Sequence, residues 1–509
     1  MKIWLDPSPT HAIEGKDCTG GGKGLISSTR TQRWDQFVLP TEVDAQSARS
    51  DTFQQSSSVY VQKHDNEHWL VCSPCGSGRI AVFDAQAMHL FQQFRSPTTI
   101  SNISRSTRQY PLREVEQAVA VFLELGFLDK VDDFSNNNSV TEPEMLTAWM
   151  HVTNACNLRC QYCYIEKTSE SMTEDTSRKA VDAIFRSAVR HGYQKMRLKY
   201  AGGEASLHMM RVIEIHDYAN QLAQSHGIAL HGIILSNGVA LSERAIELLK
   251  SRHIGVMISL DGLGAYHDSQ RPFMNGRGSF YYVARTINRL LAHALIPEIS
   301  ITVSRRNLGG LPDLIEYILQ HKLPFAINYY RENEYSASFQ DLLFEEEEMV
   351  AAMTSAFEVI EKNLPERSLL GCLVDRADMG NPHSHTCGVG QSYLVISQDG
   401  SVAKCHADMK RAITTISASD PLQVIRDDRE RVQGLPVEEK EGCRQCEWRY
   451  WCTGGCPLLT YRATGRYDVK SPNCNIYKAL FPKALRLEAL RLLCYQSPIV
   501  LEHRQPLWV

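Results

Sequence analysis

From about Thr147 to Tyr330 strand-like and helix-like hydrophobic patterns alternate six times, and no other feature restricts the fold of this chain as much. The strand candidates fall at 147–153, 196–201, 229–236, 254–260, 297–303 and 325–330, each followed by helical spacing that continues to about residue 363. Such alternation implies a parallel sheet with right-handed crossovers. Val256-Met257-Ile258-Ser259-Leu260 is nearly all apolar, as a strand covered on both faces requires. In these architectures the C-terminal ends of the strands share one mouth, so chemistry is to be sought just after each strand.

Composition narrows the classes further. The 509 residues are enough for roughly three domains of about 150 residues each. Apolar residues make up 43% and charged residues 22%, and no run approaches the roughly 18 apolar residues of a membrane span. Lys and Arg number 54 against 58 Asp and Glu, a net charge of −4, which leaves no global basic field for nucleic acid or anionic lipid. No nucleic-acid or membrane partner is expected. Met1-Lys2-Ile3-Trp4-Leu5-Asp6-Pro7 lacks the apolar run of a secretory signal, so a cytoplasmic location is expected. Disulfides are rare in that compartment, and 15 cysteines there point to metal.

The flanks differ in texture. Residues 1–58, rich in Ser, Thr, Gly, Gln and Asp without hydrophobic period, read as a poorly ordered leader. Residues 59–130 combine a hairpin signal around Asp65-Asn66-Glu67, a third short run at Ile80-Ala81-Val82 and two helical stretches. The second helix, about Leu112 to Leu125, aligns Val115, Ala118, Val119, Phe122 and Leu123 before Gly126 stops it. This is a compact module of the winged-helix kind. Residues 131–143 read as a polar linker, 144–365 as the α/β unit, and 366–476 as a Gly-, Pro-, His- and Cys-rich domain held by metal. Residues 477–509 form a C-terminal helix and tail, with the helix at about Tyr477 to Leu493.

Directly after the first strand, Cys156, Cys160 and Cys163 form C-x3-C-x2-C in one loop. Iron–sulfur clusters ordinarily take four thiolates, so three leave one iron with an open position. On spacing alone, a zinc knuckle with a distant fourth ligand and three free thiols remain open. The second strand ends in Gly202-Gly203-Glu204, where glycines let backbone approach a ligand closely and a carboxylate suits an ammonium; alone, it is equally a turn. The third and fourth strands end in Ser236-Asn237-Gly238 and Ser259-Leu260-Asp261-Gly262. Farther on, Cys387 and Cys405 precede Cys443-x2-Cys446-x5-Cys452-x3-Cys456 and Cys474, a set whose dense middle part also fits a zinc ribbon.

The first cassette with Tyr162 inside it, the Gly202-Gly203-Glu204 segment and the stretch from Ser259 through His267-Asp268-Ser269-Gln270-Arg271-Pro272 to Ser279-Phe280 resemble the radical S-adenosylmethionine (SAM) superfamily. The seven later cysteines resemble the SPASM extension of its peptide and protein maturases. The resemblance implies an α/β partial (β/α)6 barrel of the radical SAM type, with an N-terminal winged-helix-like α+β module and a C-terminal iron–sulfur SPASM domain. It implies a 4Fe–4S cluster on Cys156, Cys160 and Cys163 whose open iron holds SAM. Gly202, Gly203 and Glu204 would then lie near the methionine amino group, Ser259 and Arg271 near ribose and carboxylate, and Tyr162 near adenine, with Ser236, Asn237 and Asp261 as further contacts. Ala205 stands where proline is usual, away from any proposed ligand. Two auxiliary 4Fe–4S clusters are implied, an outer one on Cys443, Cys446, Cys452 and Cys474 and an inner one on Cys387, Cys405 and Cys456. Asn381 stands where some relatives supply a cysteine. Cys372, His383, His385 or a substrate thiol are then the candidates for the inner cluster's fourth ligand, and Cys372 is favoured.

The implied activity is reductive cleavage of SAM to a 5'-deoxyadenosyl radical that takes a hydrogen from a precursor peptide or protein, with electrons from a reduced flavodoxin- or ferredoxin-type donor. The expected outcome is a thioether or carbon–carbon crosslink in a ribosomally made peptide, whose leader adds a strand to the N-terminal module. One alternative is oxidation of Cys or Ser to formylglycine in a sulfatase. Such relatives place an Asp base where His406 stands, although Asp408 lies two residues on. The other is a non-catalytic iron–sulfur carrier or zinc-stabilised peptide adaptor, which has no use for Gly202-Gly203-Glu204, Ser259 and Arg271. The remaining features read as structural. Cys72-x2-Cys75 is a turn pair, Cys18 and Cys494 are bystanders, His64 and His68 are surface residues, Glu345 to Glu348 open a helix, and Lys23 lacks P-loop spacing.

Overall fold

The computed structural model describes residues 1–6, 50–107, 109–131 and 145–501. Most of the expected 1–58 leader, Cys18, Lys23, residues 132–143 of the linker and the tail from 502 lie outside the described residues. The N-terminal strands are β1 (Lys2–Leu5), β2 (Thr52–Gln55), β3 (Tyr60–Lys63), β4 (His68–Cys72), β5 (Ile80–Asp84), β6 (Thr98–Thr99) and β7 (Leu128–Lys130). The central strands are β8 (Met145–Thr153), β9 (Lys195–Gly202), β10 (Ala229–Ser236), β11 (Gly255–Ser259), β12 (Glu298–Val303) and β13 (Phe325–Tyr329). Then follow β14 (Tyr393–Ile396), β15 (Ser401–Ala403), β16 (Thr414–Thr415) and β17 (Ile499–Val500).

β8 to β13 pair in parallel, each with its successor, and a helix or helices follow each strand. This sequential order is that of an unclosed (β/α)6 barrel. All nine positions of β8 are buried, which is why its sequence shows no alternation. The helix Glu174–Arg190 begins where Thr173 accepts a hydrogen bond from the Thr176 amide, with Glu174 and Asp175 in its first turn. It lays Ala180, Val181, Ile184 and Ala188 on the sheet. At the free edge of β8, β14 adds in parallel and leads into antiparallel β15 and β16. The cysteine-rich region is therefore continuous with the barrel sheet, and this pairing brings Cys405, which follows β15, to the mouth.

In the N-terminal region β3, β4 and β5 are antiparallel, β1 lies beside β5 and β17 beside β1, while β6, β2 and β7 form a separate small sheet. Three helices, Ala85–Gln92, Ile100–Thr107 and Leu112–Glu124, cover a core of Phe83, Phe91, Phe122 and Phe127, where two had been expected. The reading of 1–58 as a poorly ordered leader fails at both ends. Lys2–Leu5 is a strand with Ile3 and Leu5 buried, and Thr52–Gln55 is another. Four-residue strands carry too few side chains to show a period, and their stability comes from distant partners in β5, β17 and β7. The final helix, Cys474–Tyr495, packs against Glu346–Lys362 and reaches β5 of the N-terminal sheet.

Candidate active site

The C-terminal ends of the parallel strands open on a cavity of about 270 Å³. One wall carries Cys156, Cys160 and Cys163 after β8, Gly202, Gly203 and Glu204 at β9, Ser236 and Asn237 at β10, and Ser259 at β11. Tyr162 and Arg271 complete that wall, and Cys387, Cys405 and Cys456 line the same cavity from the cysteine-rich region. Asp261 does not line it. Its carboxylate sits behind, accepting from Tyr162 Oη at 2.6 Å, Arg271 Nε at 2.8 Å and the Thr302 amide at 2.8 Å, so it holds three residues that do. The Glu204 carboxylate is similarly engaged, accepting from Ser236 Oγ at 2.8 Å and the Asn237 amide at 2.6 Å, which ties the ends of β9 and β10 together.

Gly203 is required by close approach. Its amide donates to Thr153 O at 2.6 Å, and a Cβ there would stand 2.3 Å from Ala155 O and 2.5 Å from Asn154 O, both backbone atoms of the cysteine loop. Gly203→Ala is expected to displace that loop and cost about 1–3 kcal/mol of stability, read as a lowered Tm with reduced iron retention. Lys167, four residues past the cassette, donates to Cys163 Sγ at 3.1 Å. Sequence reasoning passed over it because a lone lysine in a loop carries no motif. Trp149, inside β8, was also missed; its ring stacks on His406 at 4.5 Å and 15°, and both line the cavity.

Cys443, Cys446, Cys452 and Cys474 surround a second, small cavity closed by Trp448, Tyr477 and Phe481. Burial pushes Cys452 up to about 12 and Cys443 to about 11, so these groups rest as neutral thiols until a metal displaces the proton. Among the described residues no three His, Cys, Asp or Glu side chains converge on a single ion position.

Cys372, favoured as the inner set's fourth ligand, is not brought to that set. Its Sγ donates to Leu369 O at 3.2 Å within the apolar core, and it lines neither cavity. Both ring nitrogens of His385 are engaged, with Ser384 Oγ at 2.7 Å and Gln391 Nε2 at 2.6 Å, and His383 Nδ1 pairs with Asn381 O at 2.8 Å. Between the two thiol sets runs a buried polar bridge. Lys440 Nζ donates to Thr453 O at 2.7 Å, and Thr453 Oγ1 donates to Thr386 Oγ1 at 2.9 Å. Thr453 follows Cys452 and Thr386 precedes Cys387, so the bridge touches the neighbours of both sets. The N-terminal module rests on the outer set's loop, with Cys75 Sγ donating to Glu447 O at 3.0 Å and the Tyr60 and Trp448 rings 4.8 Å apart. Among the described residues no helix is long and apolar enough to cross a membrane.

A sequential parallel sheet whose mouth gathers a three-cysteine loop, a Gly-Gly-Glu turn and a Ser/Arg pair defines the class of enzymes that bind SAM on an iron–sulfur cluster. Residues 150–313 match the Radical SAM superfamily, and the chain carries a domain of that family. It is 28% identical over 182 residues to the antilisterial bacteriocin subtilosin biosynthesis protein AlbA of Bacillus subtilis, a match covering 35% of this chain and 37% of that relative. It is 22% identical over 362 residues to the PqqA peptide cyclase of Bradyrhizobium diazoefficiens, covering 67% of this chain and 90% of the relative. The solved structure of native anSMEcpe with bound AdoMet and Cp18Cys peptide is similar in fold, with TM-score 0.56 and 17% identity over 69% of this chain and 99% of that one.

Proposed function

We propose that this chain is a radical SAM maturase of the SPASM type that installs a thioether or carbon–carbon crosslink in a ribosomally made peptide. The reading includes two auxiliary 4Fe–4S clusters, an outer one on Cys443, Cys446, Cys452 and Cys474 and an inner one on Cys387, Cys405 and Cys456. The observation that carries it is the shared cavity, which has the three-cysteine loop on one wall and three auxiliary cysteines lining it as well. A peptide side chain held there meets a radical source and an electron acceptor in the same enclosed volume. Cluster-bound SAM supplies the capacity for radical hydrogen abstraction. The chain's own residues supply position: Arg271 and Tyr162 are locked by Asp261, the Gly202-Gly203 backbone lies against the cysteine loop, and the Trp149–His406 stack walls the site. The names of AlbA and PqqA peptide cyclase support a peptide substrate.

The β3 edge of the five-stranded sheet supports the leader-recognition role of the N-terminal module, because among the described residues no further strand pairs with it and strand addition is open there. The formylglycine reading is disfavoured because Asp408, its candidate base, does not line the cavity, whereas His406 does. Anaerobic reconstitution is expected to give about twelve iron atoms per chain, three clusters of four, and about four would refute the auxiliary assignment. Mass spectrometry of a precursor peptide coexpressed with the enzyme is expected to show the loss of two hydrogens per crosslink. An unchanged mass overturns the crosslink reading, and so does a change that tandem fragmentation confines to one residue as an aldehyde, because formylglycine made from Ser also loses two hydrogens.

Lys440 also gives a prediction. A buried ammonium beside both thiol sets favours the added electron on each cluster. Lys440→Met is expected to make both auxiliary clusters about tenfold harder to reduce, about 59 mV for a one-electron couple, and Lys440→Arg to restore them, measured by potentiometric titration followed by electron paramagnetic resonance.

A further inference from the structure

Two side chains on the cavity wall hold a hydrogen-bond donor that the protein itself does not use. Trp149 is 3% exposed, and among the described residues its indole Nε1 has no acceptor. The Nε of Arg331 is also buried and, among the described residues, has no acceptor either. Of the described residues that line this cavity, these two alone carry a buried nitrogen donor left over in this way. A buried N–H without a partner is costly and rare, so two in one wall call for an acceptor.

Neither donor can turn away. The indole is stacked on the His406 ring at 4.5 Å and 15°. The Arg331 guanidinium donates from Nη1 to Tyr329 O at 2.9 Å and from Nη2 to the two Asp375 oxygens at 2.7 and 2.9 Å. Those bonds fix its plane and leave the Nε–H over. Both side chains belong to the surroundings of the inner thiol set. Trp149 is part of the buried cluster that contains Cys387 and Cys405, and His406 follows Cys405 in the chain. Arg331 lies near enough to Cys456 for the charge of an ionised Cys456 to act on it, in addition to that of Asp375. A thiol is a weak acceptor, whereas a thiolate or sulfide on iron carries negative charge and accepts well. The two unused donors therefore fit an iron–sulfur group held by these three cysteines.

We propose, resting on the inner-cluster reading above, that Trp149 and Arg331 donate N–H···S hydrogen bonds to the cluster on Cys387, Cys405 and Cys456 and thereby set its reduction potential independently of the outer cluster. A hydrogen bond to sulfur strengthens as the cluster gains negative charge, so each donor favours the reduced state. Lys440 acts on thiols of both sets, whereas Trp149 and Arg331 line the cavity of the inner set and not that of the outer one. They are positioning residues: they act on the substrate only through the cluster, making the one that shares its cavity the readier electron acceptor.

The test uses the anaerobically reconstituted full chain, titrated potentiometrically with dithionite and followed by electron paramagnetic resonance. The inner signal is the one lost in Cys387→Ala/Cys405→Ala/Cys456→Ala. Trp149→Phe keeps an aromatic ring against His406 and removes the N–H, and Arg331→Lys keeps a cation beside Asp375 and removes the Nε–H. Each is expected to make the inner cluster about tenfold harder to reduce, about 59 mV for a one-electron couple, with the outer potential and the iron content unchanged. An unchanged inner potential in Trp149→Phe overturns the proposal, and one in Arg331→Lys overturns that donor's assignment. An equal shift of both auxiliary clusters also overturns it, because that is the mark of a general loosening of the fold. Should Arg331→Lys lose iron, Trp149→Phe decides alone. Wild-type protein that holds about eight iron atoms and loses no signal in the triple cysteine variant refutes the inner-cluster reading itself, and the proposal falls with it.

Discussion

Replacing Cys156, Cys160 and Cys163 together with alanine is expected to abolish reductive cleavage of SAM while the auxiliary iron remains. Iron content should fall from about twelve to about eight atoms per chain, and cleavage should fall to background. The loop carrying these residues stands at the mouth of the barrel, outside the packed layers formed by β8 to β13 and their helices, so its thiols are removed without opening the core. Lys167 loses its Cys163 partner, but it stands at the mouth where water can solvate it. The measurement is anaerobic, with 5'-deoxyadenosine quantified against iron. Retained cleavage would show that the open iron is elsewhere. Loss of all iron would show that the second cysteine region depends on the first.

The second large effect is on stability. Asp375 joins three parts of the molecule: it accepts from the Tyr329 amide at the end of β13 at 3.0 Å, from Arg331 Nη2 at 2.7 Å and from Tyr477 Oη at 2.7 Å. Tyr477 lies one turn into the helix that begins with Cys474, and Arg331 lines the cavity. Asp375→Asn leaves a buried guanidinium without its counter-ion and is expected to cost about 3–5 kcal/mol, seen as a shifted denaturation midpoint. Burial alone raises the pKa of this carboxyl, but the charges of Arg331 and Arg376, with the hydrogen bonds from Tyr329 and Tyr477, outweigh it and hold the value below the usual range. The sign follows. A carboxyl whose folded pKa is depressed contributes stability above its unfolded pKa of about 3.9, and that contribution disappears as pH falls through the lower folded value. Wild-type protein is therefore expected to lose stability more steeply below about pH 4 than Asp375→Asn.

The barrel was readable because its signals are local. Apolar runs of five to nine residues and helices with capped starts announce themselves within one window, and the expected strand 229–236 coincides with the observed β10. The motif residues after each strand were readable for the same reason, since spacing along the chain translates directly into position at the mouth. The thiol of Cys372 was not. Distance along the chain made it a plausible ligand, but packing turned it into the core against Leu369. The strand at Lys2–Leu5 escaped notice because its pairing partners lie in β5 and at the far C-terminal end, in β17.

By itself the sequence determined the alternating core, the three-thiol loop and the order of the seven later cysteines, because these depend on residue type and short spacing. Only the tertiary structure decided that β14 extends the barrel sheet, that Asp261 and Glu204 orient their neighbours, and that Lys440 lies between two thiol sets. Each of these depends on a contact between segments far apart in the chain, and such contacts arise from packing that no local pattern encodes.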